Sequence, residues 1–192
     1  MDTLIHMCKC VMLCVTTLVI LCFCTILFMI LHYSFYNAPK YVYDNNVTGN
    51  CTIDNTFLHC GPCQDGCSNL QDYYEYKNKS ETLTGIAKNC ALQSIFGDGT
   101  ACFERDTELT KGCIDCWMEN VQCTRTNCFI PCIWELITRK QQNIDSQTLS
   151  KCFACDEYYC LEGFINCAGM SRRRAGIVTD IDRDETEICD YK

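Results

Sequence analysis

Histidine, proline and tryptophan are scarce in this chain: 3, 3 and 2 among 192 residues. His6 and His32 flank an apolar run, so only His59 lies beyond it. That leaves almost no material for a Ser/His or Cys/His catalytic pair. The G-x-S-x-G elbow, the H-E-x-x-H zinc helix and the P-loop are all absent. The 10 glycines and 3 prolines are too few for a collagen-like or low-complexity chain. Basic residues are outnumbered, 16 against 24 acidic, and a formal net charge of −8 argues against nucleic acid as a partner. These absences point away from an enzyme, a small-molecule substrate and a resident cofactor. Wholesale disorder is excluded as well, because 48% of the residues are apolar and only 21% charged.

What the chain has is cysteine, 21 in all. It also has one long uncharged run, CVMLCVTTLVILCFCTILFMIL, from Cys10 to Leu31. Those 22 residues would make a helix of about 33 Å, enough to cross a hydrocarbon core of about 30 Å. A cleaved signal peptide has a shorter apolar region and a small-x-small exit, whereas here Pro39 follows the one candidate, Ala38. Tyr33, Phe35 and Tyr36 resemble an interfacial belt. The expectation is an uncleaved signal anchor at 10–32 that makes one span through membrane lipid, with residues 1–9 in the cytosol.

Lys9 and Lys40 nearly balance the positive-inside count, so orientation rests on the chain beyond residue 40. Sequons at Asn46, Asn50 and Asn78 mark that side as luminal or extracellular. Residues 33–50 then read as a polar stalk, 51–170 as a disulfide-rich domain and 171–192 as a charged tail. Cys8, Cys10, Cys14, Cys22 and Cys24 lie at or in the span, with Cys8 and Cys10 placed for acylation at its cytosolic edge. The other sixteen are Cys51, Cys60, Cys63, Cys67, Cys90, Cys102, Cys113, Cys116, Cys123, Cys128, Cys132, Cys152, Cys155, Cys160, Cys167 and Cys189. In an oxidising compartment they could form up to eight disulfides, each contributing about 2–4 kcal/mol.

The fold class expected is mostly α. Residues 51–82 carry cysteines among turn residues and then a Tyr-rich run. Leu83, Ile86, Ala87, Cys90 and Ala91 share a helix face that Gly97-Asp98-Gly99 closes. Asp106, Thr107 and Thr110 supply capping residues for a helix holding Cys113 and Cys116. Another helix is expected over Cys128–Ile137, with Pro131 in its first turn. The cysteine patterns at 113–128 and 152–167 look alike and suggest two related, stapled helical hairpins.

Few motifs carry chemistry. Cys60-Gly61-Pro62-Cys63 is the thioredoxin dithiol, but the flanking segments lack the apolar strand and helix that such a site needs. Three C-x2-C knuckles, at 60–63, 113–116 and 152–155, have zinc-ligand spacing, so zinc is expected only if the domain faces a reducing compartment. Asp180-Ile-Asp182-Arg-Asp184 begins like a calcium loop but has Glu185 where glycine is required. Arg172-Arg173-Arg174 is the one strong basic cluster. It reads either as a partner of the acidic tail or as an interaction patch.

Residues 152–183 resemble a short cysteine-rich signature of protists and of the large DNA viruses of algae. Cys152-x2-Cys155, Phe164, Cys167-Ala168-Gly169 and Arg172–Arg174 followed by Ala-Gly-Ile carry the resemblance. The layout of anchor and disulfide-rich helical domain is similar to small structural and entry proteins of large DNA viruses. The resemblance implies a virion membrane or minor capsid component that links membrane to shell, with capsid or membrane-complex subunits as partners. Alternatives are a membrane-tethered thiol oxidoreductase using Cys60 and Cys63, or a cell-surface receptor or adhesion module.

Overall fold

The structure, a computed structural model, describes residues 12–28, 49–63, 66–95, 97–138 and 150–179. The chain divides into two compact units, Met1–Pro39 and Lys40–Lys192. In the first, residues 12–28 form helix α1, along which Leu13, Leu18, Phe23 and Phe28 are all exposed. Among the described residues no helix is long and apolar enough to cross a membrane. Helix α1 therefore covers only part of the expected 10–32 span, whose ends lie outside the described residues.

The second unit opens with a hairpin that the residue pattern did not announce. Strands β1 (Asn50–Ile53) and β2 (Thr56–Cys60) pair antiparallel, with a register shift between Cys51 and Thr52. Its turn is Asp54-Asn55, with φ of 51° and 58°. Aspartate and asparagine tolerate this left-handed conformation, and a two-residue turn with both φ positive matches strand twist. The Tyr-rich run is helix α2 (Leu70–Asn78), started by Asn69, whose side chain accepts from the Asp72 amide. Within it Tyr74 faces solvent and Tyr76 is buried.

Helix α3 (Leu83–Gln93) ends close to where the glycine-rich stretch predicted. That stretch also starts a further helix, α4 (Gly99–Asp106), because the Asp98 carboxylate accepts from the amides of Thr100 and Ala101. Glycine is needed at 99, where a Cβ would fall 2.8 Å from both Met118 and Ser94. Helix α5 (Lys111–Asn127) is the longest in this unit and touches α3, α4, α6, α7 and α8. Helix α6 (Phe129–Thr138) carries Pro131 in its first turn, where the missing N–H costs nothing. Helices α7 (Lys151–Tyr159) and α8 (Leu161–Ala168) complete the domain.

The core forms around one face of α5. Leu58, Tyr76, Leu83, Phe103 and Ile114 are all buried in it. Trp117 joins the layers, with ring centroids 5.0 Å from Phe164, 5.9 Å from Phe103 and 6.4 Å from Tyr76. Its indole N–H donates to the Tyr76 hydroxyl at 3.0 Å, which in turn donates to the Cys67 sulfur at 3.2 Å. The buried phenol thus gains partners that offset its desolvation, and burial pushes the Tyr76 pKa well above the ordinary phenol range.

Candidate functional site

Seven disulfides join described cysteines. Cys51–Cys63, Cys67–Cys113 and Cys90–Cys102 hold the hairpin and the first helices. The other four, Cys116–Cys167, Cys123–Cys160, Cys128–Cys155 and Cys132–Cys152, are strictly nested. Together they form a ladder in which α5 and α6 run as one arm and α7 and α8 as the other. The two cysteine-rich segments expected to be separate related hairpins are instead stapled to each other. The spacings explain why. Steps of 7, 5 and 4 along 116, 123, 128 and 132 nearly mirror the steps of 3, 5 and 7 along 152, 155, 160 and 167. Two antiparallel arms can pair their cysteines in order only if one spacing reverses the other.

Two chemical expectations meet this pairing. Cys63 bonds Cys51, and Cys60 is itself disulfide-bonded, so the Cys-Gly-Pro-Cys pair is not a dithiol couple in the folded domain. The cysteines of all three C-x2-C knuckles are oxidised, and a disulfide sulfur is no thiolate ligand for zinc. The close groups Cys67, Asp72, Cys113 and Cys90, Cys102, Asp106 each contain such a bonded pair. Cys189 lies outside the described residues, as do Cys8 and Cys10. Cys14, Cys22 and Cys24 on α1 are free thiols.

The ladder frames a cavity of about 470 Å³. One wall is a face of α3, where Thr84, Ala87, Lys88, Ala91 and Leu92 recur at helical spacing over about 12 Å, extended by Ile95 just past the helix. Ala87 and Ala91, one turn apart, leave the groove its width. The facing wall is Phe129, Ile133 and Leu136 of α6, at i, i+4 and i+7. Trp117 and Val121 of α5 and Phe153 of α7 form the base. Leu92, Ile95, Phe129 and Leu136 remain between 40% and 49% exposed, so the groove is an open apolar surface.

Its polar base is small. Asp156 receives the Asn120 amide at 3.2 Å and the Thr124 hydroxyl, which also lies 2.9 Å from the Asn120 carbonyl. A single hydroxyl proton serves one acceptor at a time, so Thr124 divides its donation between the Asp156 carboxyl and the Asn120 carbonyl. Burial pushes the Asp156 pKa up, while the Thr124 and Asn120 hydrogen bonds and nearby Arg173 pull it back. Asn120 Oδ1 is the one buried side-chain oxygen or nitrogen among the described residues that has no hydrogen-bond partner. Glu135 caps α7, its carboxylate accepting from the Cys152 amide at 3.1 Å.

The arginine triplet takes partners within the fold, and Arg172 and Arg173 also line the groove. Arg173 is buried at 8% exposure and ion-paired with buried Glu157. Arg172 donates to the Ser80 carbonyl at 3.1 Å and to the Thr84 hydroxyl at 2.8 Å, tying the segment after α8 to α3. Arg174 donates to the Gly169 carbonyl at 3.4 Å, and its own carbonyl accepts from the Cys60 amide at 2.9 Å. Desolvating guanidinium groups is expensive unless each finds acceptors, and these do. The acidic tail from Asp180, the other partner expected for the triplet, lies outside the described residues.

Other expected positions divide similarly. Asn50 and Asn78 are exposed, as glycan acceptors must be, and Asn46 lies outside the described residues. Asn120, Thr124 and Asp156 were not foreseen from the sequence. The available signal was the polar set itself, Asn120 and Thr124 one turn apart on an otherwise cysteine-bearing helix.

Fold and site together define a class: a small helical domain cross-linked by a nested disulfide ladder around an apolar groove. The chain belongs to the family of unknown function DUF8771, whose model matches residues 96–191. That match takes in the whole ladder and leaves out the hairpin, α2 and α3. No curated protein and no solved structure matches the chain.

Proposed function

We propose that the protein is a single-pass, membrane-anchored interaction module, and that its disulfide-stapled domain binds an apolar face of a protein partner in the groove between α3 and α6. In a virion such a module would link the membrane to a protein shell. The observation that carries this reading is the groove. It is of ligand-binding size, its walls are apolar, and cross-links on the α6 side hold it open. Disulfides elsewhere are compatible with an oxidising, extracellular or luminal setting. Support for the anchor comes from α1, where Thr16, Thr17 and Thr25 direct their hydroxyls to carbonyls one turn back. Those bonds satisfy the three threonine hydroxyls within the helix, as a lipid environment requires.

The reading is tested by placing a photo-crosslinking residue at Ala91, inside the groove, and at Glu162, an exposed position outside it, in the membrane-bound protein. The expected result is a discrete adduct from position 91 alone, lost by about tenfold or more when Leu136→Arg puts a charge in the wall. Equal adducts from both positions, or none from 91, would overturn it.

A further inference from the structure

Helix α6 is unusual in this domain because it has no buried residue. Its inner apolar face walls the groove, but a second apolar stripe remains. Ile130, Trp134 and Ile137, at i, i+4 and i+7, are 42%, 54% and 69% exposed. One cross-link from Cys132 within the helix and one from Cys128 just before it pin α6 to α7, which opposes rolling this stripe inward. The one charged side chain in α6, Glu135, is held against the α7 N-terminus by its bond to the Cys152 amide. No acid therefore sits on the stripe. Arg139 and Lys140 come directly after the helix in sequence.

An outward row of Ile-Trp-Ile, free of negative charge and followed by two cations in an otherwise acidic protein, matches the boundary between headgroups and acyl chains. Indole prefers that boundary because its ring is apolar and its N–H still meets water. Arginine and lysine next to such a helix in sequence supply charge of the sign that complements phosphate groups. We infer that α6 is a second, peripheral membrane contact, lying in the plane of the bilayer interface with Ile130, Trp134 and Ile137 inserted. This rests on the proposed anchoring through α1, which holds the domain close to a bilayer.

The test uses the full chain reconstituted in vesicles of phosphatidylcholine and phosphatidylserine, with and without a phosphatidylcholine brominated close to the headgroup. Flotation reports the anchor, and bromine quenching of tryptophan reports α6. Trp117, partly buried against the core at the base of the groove, is unchanged in Trp134→Phe, so that variant isolates the signal of the stripe. The expected outcome is flotation of all variants, quenching of the wild type, loss of that quenching in Trp134→Phe, and its reduction in Ile130→Asp/Ile137→Asp. Flotation with wild-type emission unquenched overturns the inference and leaves the anchor standing. Failure to float overturns both.

Discussion

At the scale of single residues, the domain hides several polar groups and supplies each with named partners. His59 is fully buried: its Nδ1–H donates to the Cys60 carbonyl at 2.9 Å, and Nε2 lies 3.0 Å from the Ser68 hydroxyl. Burial lowers its pKa below the ordinary 6.5, the Cys60 carbonyl opposes this, and Arg174 adds to the lowering. The folded state therefore refuses a proton that the unfolded chain accepts below about pH 6.5. Stability is fully present above that value and falls as the pH drops through it, by at most about 1.4 kcal/mol per pH unit. Asp72 and Asp156, whose pKa values burial raises, act in the opposite sense at lower pH, because their protonation favours the folded state. Thermal unfolding of the oxidised domain between pH 7 and 5.5 checks this. The melting temperature should decline in the wild type and stay nearly flat in His59→Gln. An equal decline in both would place the proton elsewhere. The arginine triplet shows what sequence could not supply at this scale. The cluster is plain in Arg172-Arg173-Arg174, and its nearest acids in sequence are those of the tail. The partners it takes are Ser80, Thr84 and Glu157, which only the fold brings near.

Among elements, helical segments with a regular apolar face were legible. Helix α3 and the proline-started α6 fall where their residues indicate. The hairpin and α4 were not, for physical reasons. The strands of the hairpin are short and its Asp54-Asn55 turn lacks the usual glycine. Helix α4 begins inside the glycine stretch that ends α3, so one signal does two jobs. The mirrored cysteine spacing is present in the sequence, but similar counts suggest repetition, and only reversal of order reveals two arms of one ladder. Helix α6 depends on that ladder more than on packing, since it buries no residue of its own. The loops closed by Cys128–Cys155 and Cys132–Cys152 span 27 and 20 residues, and each bond contributes about 3 kcal/mol through the unfolded chain. Replacing all four cysteines by alanine should release α6 and leave the core formed. Hydrogen exchange would then show amides 129–138 losing protection while α5 amides up to Trp117 keep theirs. Protection that persists in α6 would mean that groove packing, not the staples, holds it.

For the whole molecule, acidic charge and dense cross-linking describe a body that needs no large core to stay folded. Helix α6 then carries two apolar faces with different proposed neighbours, a protein partner on the inside and lipid on the outside. Both proposals assume that the groove keeps its shape, and the ladder is what gives it that shape. The most direct measurement is disulfide mapping of the full chain, by protease digestion without reduction followed by mass spectrometry of the linked peptides. A nested ladder yields linked peptides for Cys116–Cys167, Cys123–Cys160, Cys128–Cys155 and Cys132–Cys152. Local pairs such as Cys113–Cys116 or Cys152–Cys155, or free thiols at these positions, would contradict it.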